Sequence, residues 1–175
     1  MRRKITLAVL ILLCFLAQTT LFGPLEIGST APNLMLILTV SFGFMQGKKE
    51  GLMIGFFCGL LMDIFYREAI GVDALIYMYL GYASGFLCKV YFDEDIKVPV
   101  LLVTAADFIY GIAVFISSFL MRGRTDFIGY TGSVILPEIV YTVLVGIVLY
   151  RLFYWINKQL VKRESRGKMS LWLRN

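Results

Sequence analysis

The sequence predicts an all-α, polytopic integral membrane protein with six transmembrane helices and little else attached. Two observations carry this prediction. The 175 residues are 59% hydrophobic and 17% charged, with a mean hydropathy of +0.78, whereas a soluble domain holds roughly 45–50% apolar and about 25% charged residues. The apolar residues also arrive in long blocks, and a helix needs ~20 of them to cross ~30 Å of hydrocarbon. Backbone inside a bilayer must satisfy its own hydrogen bonds, so such blocks are helices or strands of a closed barrel. Continuous hydrophobicity without strict alternation selects helices.

The blocks follow in order. Ile5–Phe22 comes after Met1-Arg2-Arg3-Lys4. A signal peptide would have a short core and a small-x-small cleavage site. Here the run continues past Gln18-Thr19-Thr20, and Ala17-Gln18-Thr19 is a poor cleavage match, so the block reads as an uncleaved first span. Asn33–Met45, opened by Pro32, and Gly51–Tyr66 are both short for a crossing. A re-entrant pair would bury the Lys48-Lys49-Glu50 turn at a cost of several kcal/mol; two short spans with local thinning are the better reading. Ile70–Cys88, Val98–Met121 and Val134–Ile156 complete the six, with Pro99 and Pro137 at helix starts that tolerate them. The division is a transmembrane domain over 1–157 and a basic tail over 158–175.

Composition excludes several function classes. There is no histidine, which removes Ser-His and Cys-His nucleophile pairs and every His metal ligand. Cys14, Cys58 and Cys88 sit far apart inside apolar blocks without metal or redox spacing, and read as packing residues. The sequence contains no phosphate-binding glycine loop. Neither enzyme, cofactor nor metal is expected.

Basic residues set the orientation. With the N-terminus inside, the cytoplasmic segments hold Arg2, Arg3, Lys4, Lys48, Lys49, Lys89, Lys97 and the cluster from Lys158 to Arg174, while Arg67, Arg122 and Arg124 face outward. Both termini are then cytoplasmic, and the net charge of +5 is an orientation signal rather than a nucleic-acid footprint. The tail either rests on anionic membrane lipid, at ~1 kcal/mol per basic residue near the surface, or is a disordered anchor. Tyr66, Tyr91, Phe92, Tyr130, Tyr150, Phe153, Tyr154 and Trp155 read as an interfacial aromatic belt.

Two patterns are candidates for mechanism. Gly43, Gly47, Gly51, Gly55 and Gly59 recur every four residues, and Gly81 and Gly85 repeat the spacing. Membrane helices associate by close backbone approach over small residues, so this stripe is a packing seam. Its partner is a helix of the same chain, which is favoured, or another protein. The second pattern is intramembrane acid: Asp63, Asp107 and Glu138. A carboxylate within a span is a functional hypothesis by default. Asp63 and Glu138 both fall toward the outer leaflet, where a polar pocket with Tyr66, Tyr141 or Arg67 is one expectation. Asp107 lies deeper without a basic partner, either protonated or bonded to Tyr110 or a hydroxyl of another helix. Proton relay and substrate cavity stand against plain helix–helix hydrogen bonding.

The order of motifs resembles the MreD family of bacterial rod shape-determining proteins. The resemblance rests on Pro32-Asn33-Leu34-Met35-Leu36-Ile37-Leu38, on Gly47-x3-Gly51-x3-Gly55-Phe56-x2-Gly59-Leu60-Leu61-x-Asp63, and on Gly71. Many members carry Asp where this chain has Asn33. The resemblance implies a non-enzymatic inner-membrane scaffold of the cell-elongation complex. Such a scaffold binds MreC and, through the complex, MreB, RodA and a class B penicillin-binding protein in lateral peptidoglycan synthesis. It also implies an architecture similar to the substrate-binding subunits of energy-coupling-factor vitamin transporters. The alternative function is therefore such a subunit, with an outer pocket using Asp63, Glu138 and nearby aromatics.

Overall fold

The computed structural model describes residues 2–22, 31–66, 70–87, 97–122, 129 and 131–172, so Arg67, Cys88, Lys89, Tyr91, Phe92, Arg124, Tyr130 and Arg174 lie outside the described residues. Among the described residues six α-helices follow in order: α1 (Arg2–Ala17), α2 (Leu34–Gln46), α3 (Lys48–Tyr66), α4 (Val72–Leu87), α5 (Lys97–Arg122) and α6 (Leu136–Trp172). A turn of π-helix, Gln18–Phe22, extends α1, and another, Thr131–Ile135, leads into α6. Three stretches among the described residues are long and apolar enough to cross a membrane: Arg3–Thr20, Lys97–Ser117 and Leu136–Val161. Helices α2 and α4 are apolar but shorter. Helix α3 has 19 residues yet carries Lys48, Lys49, Glu50 and Asp63.

The polar break after α2 is a joint rather than a loop. Helix α2 ends at Gln46 and α3 begins at Lys48, with Gly47 alone between them at φ 95° and ψ 179°. A side chain would resist that positive φ. The Gly47 amide closes α2 by donating to the Gly43 carbonyl at 2.9 Å, and the Gly51 amide opens α3 by donating to the Gly47 carbonyl at 2.9 Å.

Helix α2 is the hub. It packs against α1, α3, α4, α5 and α6, and every residue from Leu34 to Phe44 is buried. A helix that is apolar all round has no face for water and is stable only when surrounded. On the α6 side, the rings of Phe42 and Phe153 meet at 5.7 Å between centroids. Phe153 and Tyr150 are therefore core residues, because α6 turns that face inward, whereas Trp155 on another face is 61% exposed. This corrects their place in the interfacial belt.

The bundle keeps its uncovered surface apolar and sets a few polar groups within its apolar core. Phe65, Tyr79, Leu101 and Val148 point outward, while Asn33, Asp63, Asp73, Asp107 and Thr142 are buried. Hydrocarbon as solvent accounts for both halves of that pattern, since lipid accepts apolar side chains but no polar group without a partner. The apolar helices fit a multi-pass membrane protein. Helix α6, at 37 residues, is about 55 Å long at 1.5 Å per residue, and the backbone of 158–172 continues it without a break.

Candidate functional site: a glycine seam and a buried polar cluster

Helices α3 and α4 run antiparallel with their backbones in contact. A Cβ on Gly51 would overlap the Gly81 carbonyl, one on Gly55 the Tyr77 carbonyl, and one on Gly59 the Asp73 carbonyl. A Cβ on Gly85 would stand 2.5 Å from the Lys48 amide nitrogen. Each step of four residues along α3 thus meets a step of four back along α4. Gly43 of α2 enters the same junction, where a Cβ would lie 2.6 Å from the Gly81 carbonyl oxygen, so three helices converge there. Gly47 differs from the others despite its spacing: nothing lies within 4 Å of a Cβ built on it, and its positive φ serves the joint between α2 and α3. At the same end the Lys48 ammonium sits 3.7 Å from the Phe86 ring centroid, a cation–π contact that closes the hairpin.

Short helices leave their ends inside the bundle, and each N-terminus exposes amides that need acceptors. Both short helices receive them from side chains. At α2, the Asn33 Oδ1 accepts from the Leu36 amide at 3.1 Å, and Gln18, on the π-turn after α1, accepts from the Met35 amide at 3.1 Å. At α4, the acceptor is Asp63 near the end of α3. Its Oδ2 takes the amides of Gly71 and Ala74, and its Oδ1 takes that of Asp73, all at 2.9 Å. The carboxylate is wholly buried. Three amides and the positive end of the α4 dipole together solvate its charge.

Beside these caps lies a polar cluster drawn from four helices. The Tyr77 hydroxyl of α4 donates to the Asn33 Oδ1 at 2.6 Å, and the Asn33 amide donates to the Thr142 Oγ of α6 at 3.2 Å. The rings of Tyr77 and Tyr110 meet edge to face at 5.2 Å. The Tyr110 hydroxyl reaches the Asp73 Oδ2 at 3.5 Å. Asp107 of α5 is 2% exposed, with Thr142 beside it, yet neither of its carboxylate oxygens completes a hydrogen bond among the described residues.

The family model described as rod shape-determining protein MreD matches residues 1–160. The chain belongs to the MreD family. Membership places it among non-enzymatic membrane proteins with a role in rod cell shape. No curated protein and no solved structure is significantly similar to it.

In this MreD-family chain the acids singled out by sequence fall into separate settings. Asp63 is taken up by the α4 amides instead of a pocket with Tyr66, which points outward at 54% exposure. Tyr110 turns to Asp73 rather than to Asp107. Glu138 stands half-buried in the first turn of α6, where a helix N-terminus favours negative charge. Sequence reasoning overlooked Asp73 and Gln18. Asp73 lies two residues after Gly71, whose φ of 111° and whose carbonyl, 3.0 Å from the Leu75 amide, begin α4. A carboxylate at a helix start deep in an apolar block was the available signal. Gln18 looked only like an interruption of the first block. Asn33 offers through Oδ1 the acceptor that caps α2 and receives the Tyr77 hydroxyl. Among the described residues no group of three or more His, Cys, Asp or Glu is placed to hold a metal ion.

Proposed function

We propose that this chain crosses the cytoplasmic membrane six times, with both termini inside, and acts as a scaffold of the cell-elongation complex that binds MreC directly. MreB, RodA and a class B penicillin-binding protein join through the assembled complex. The observation that carries this reading is the family match over residues 1–160. The structure supports it physically. A scaffold must hold a fixed outer surface in lipid, and this bundle is tied by backbone contact along α3 and α4 and by side-chain caps at its internal helix ends. The exposed apolar faces of α1, α5 and α6 offer a single-span partner helix a surface on which van der Waals packing can work.

The test is capture of MreC by the affinity-tagged chain from mild detergent, paired with depletion and microscopy. Retained MreC and rounding of rod-shaped cells are the expected results. A chain that never retains MreC, in cells that stay rods on depletion, overturns the scaffold. Loss of vitamin uptake with shape intact would assign the chain to the transporter class instead.

A further inference from the structure

Helices α1 and α3 touch at one end of their contact and part at the other. The Phe15 ring packs on Phe65 at 4.9 Å and on Tyr66 at 6.4 Å between centroids. Below that stopper the helices enclose a groove of about 450 Å³ that opens to the outside of the bundle, with Lys4, Lys49 and Glu50 at the opposite end. Its walls between those ends are apolar, including Ala8, Ile11 and Phe57.

We propose that this groove is a binding site for one anionic phospholipid. The lipid's phosphate lies between Lys4 and Lys49, and an acyl chain lies along α1 and α3. Three features select this occupant. Charge is confined to one end, as in a lipid. Lys4 to Leu12 covers about 12 Å of α1 and Lys49 to Ile64 about 22 Å of α3 at 1.5 Å per residue. Those lengths bracket the ~15 Å depth of one leaflet, half of a ~30 Å core. Two lysines against one glutamate leave the mouth positive, which favours an anionic headgroup over a zwitterionic one. Neighbouring cations are otherwise engaged: Arg3 donates to the Gln46 Oε1 at 2.8 Å, and Lys48 covers Phe86. The groove shares α1 with one of the faces offered to MreC, but lipid retention is read without MreC, so either reading can fail alone.

The experiment is native mass spectrometry of the full chain released from vesicles of equal phosphatidylglycerol and phosphatidylethanolamine. The wild type is expected to keep one phosphatidylglycerol at collision energies that strip phosphatidylethanolamine. Lys4→Gln with Lys49→Gln should lower that retention on the order of tenfold, the scale of two lysine–phosphate contacts at a membrane surface. Lys4→Arg with Lys49→Arg should restore it, and Glu50→Gln should raise it. Ala8→Trp, which fills the groove, should reduce retention of both lipids while the chain stays monodisperse. Equal retention of the two lipids by the wild type overturns the proposal. So does phosphatidylglycerol binding that survives both the glutamine pair and the tryptophan.

Discussion

The Tyr77 hydroxyl donates to the Asn33 Oδ1 across 2.6 Å, so one side-chain oxygen caps α2 and ties α4 to it. Tyr77→Phe removes the tie but leaves the cap, and should lower stability by about 1 kcal/mol, the net worth of one buried hydrogen bond. Asn33→Leu removes both and exposes an orphan amide, adding ~1–2 kcal/mol for the lost cap. Asn33→Asp preserves the acceptor and should sit close to wild type. Thermal unfolding in detergent, read as the shift of midpoint, orders the three variants. A fully stable Asn33→Leu would refute the capping role.

Asp63 has more to lose. Asp63→Ala leaves three amides without acceptors inside the bundle, at ~1–3 kcal/mol for each buried unsatisfied group. Asp63→Asn keeps one acceptor oxygen and should fall between alanine and the parent. The measurement is the yield of monodisperse protein and its unfolding midpoint. If alanine matched the parent, the carboxylate would have to serve something other than the α4 amides.

The seam makes a prediction about a single methyl group. Gly55→Ala places a Cβ onto the Tyr77 carbonyl, and separating the two backbones should cost about 1–3 kcal/mol. Gly132→Ala meets nothing within 4 Å and should be near neutral. Gly47→Ala is unhindered in space but strained at φ 95° and ψ 179°, costing about 1–3 kcal/mol through the backbone alone. Indistinguishable midpoints for Gly55→Ala and Gly132→Ala would contradict the close approach.

Asp107 inverts the usual expectation for a buried polar residue. Its oxygens complete no hydrogen bond among the described residues, and an unsatisfied buried polar group costs roughly 1–3 kcal/mol in proteins. Asp107→Val should therefore leave the unfolding midpoint unchanged or raise it. Complementation of a depleted strain then separates function from fold: a stable Asp107→Val protein that fails to keep cells rod-shaped marks the carboxyl as working. A collapsed one shows that it holds a structural partner.

The periodic part of this architecture was legible in the sequence, and the tertiary part was not. The four-residue spacing of Gly51, Gly55 and Gly59 is a helical property, visible because i and i+4 share a face. That Gly51 meets Gly81 and Gly55 meets the Tyr77 backbone is a register between two helices, which no local pattern encodes. The shortness of α2 was equally plain from its apolar block, but its remedy lies in Gln18, a residue of another helix. Asp63 was conspicuous as a carboxylate inside a span. Its three amide partners follow only once the Gly71 turn folds α4 back along α3. Phe153 and Trp155 show the same limit at closer range: two residues apart on one helix, they belong to core and to lipid because α2 occupies only one side.

The contact between α3 and α4 has a mechanical consequence. Where backbones meet with no side chain between them, there are no rotamers to rearrange and no gap to compress. Force applied to either helix is carried to the other as rigid displacement. The hairpin can tilt or translate as one piece but cannot loosen partway. A neighbour pressing on α3 from the lipid side would be felt on the far side of α4 with little loss, much as a clamp transmits torque. Replacing one of those glycines by a larger residue would turn the clamp into a hinge.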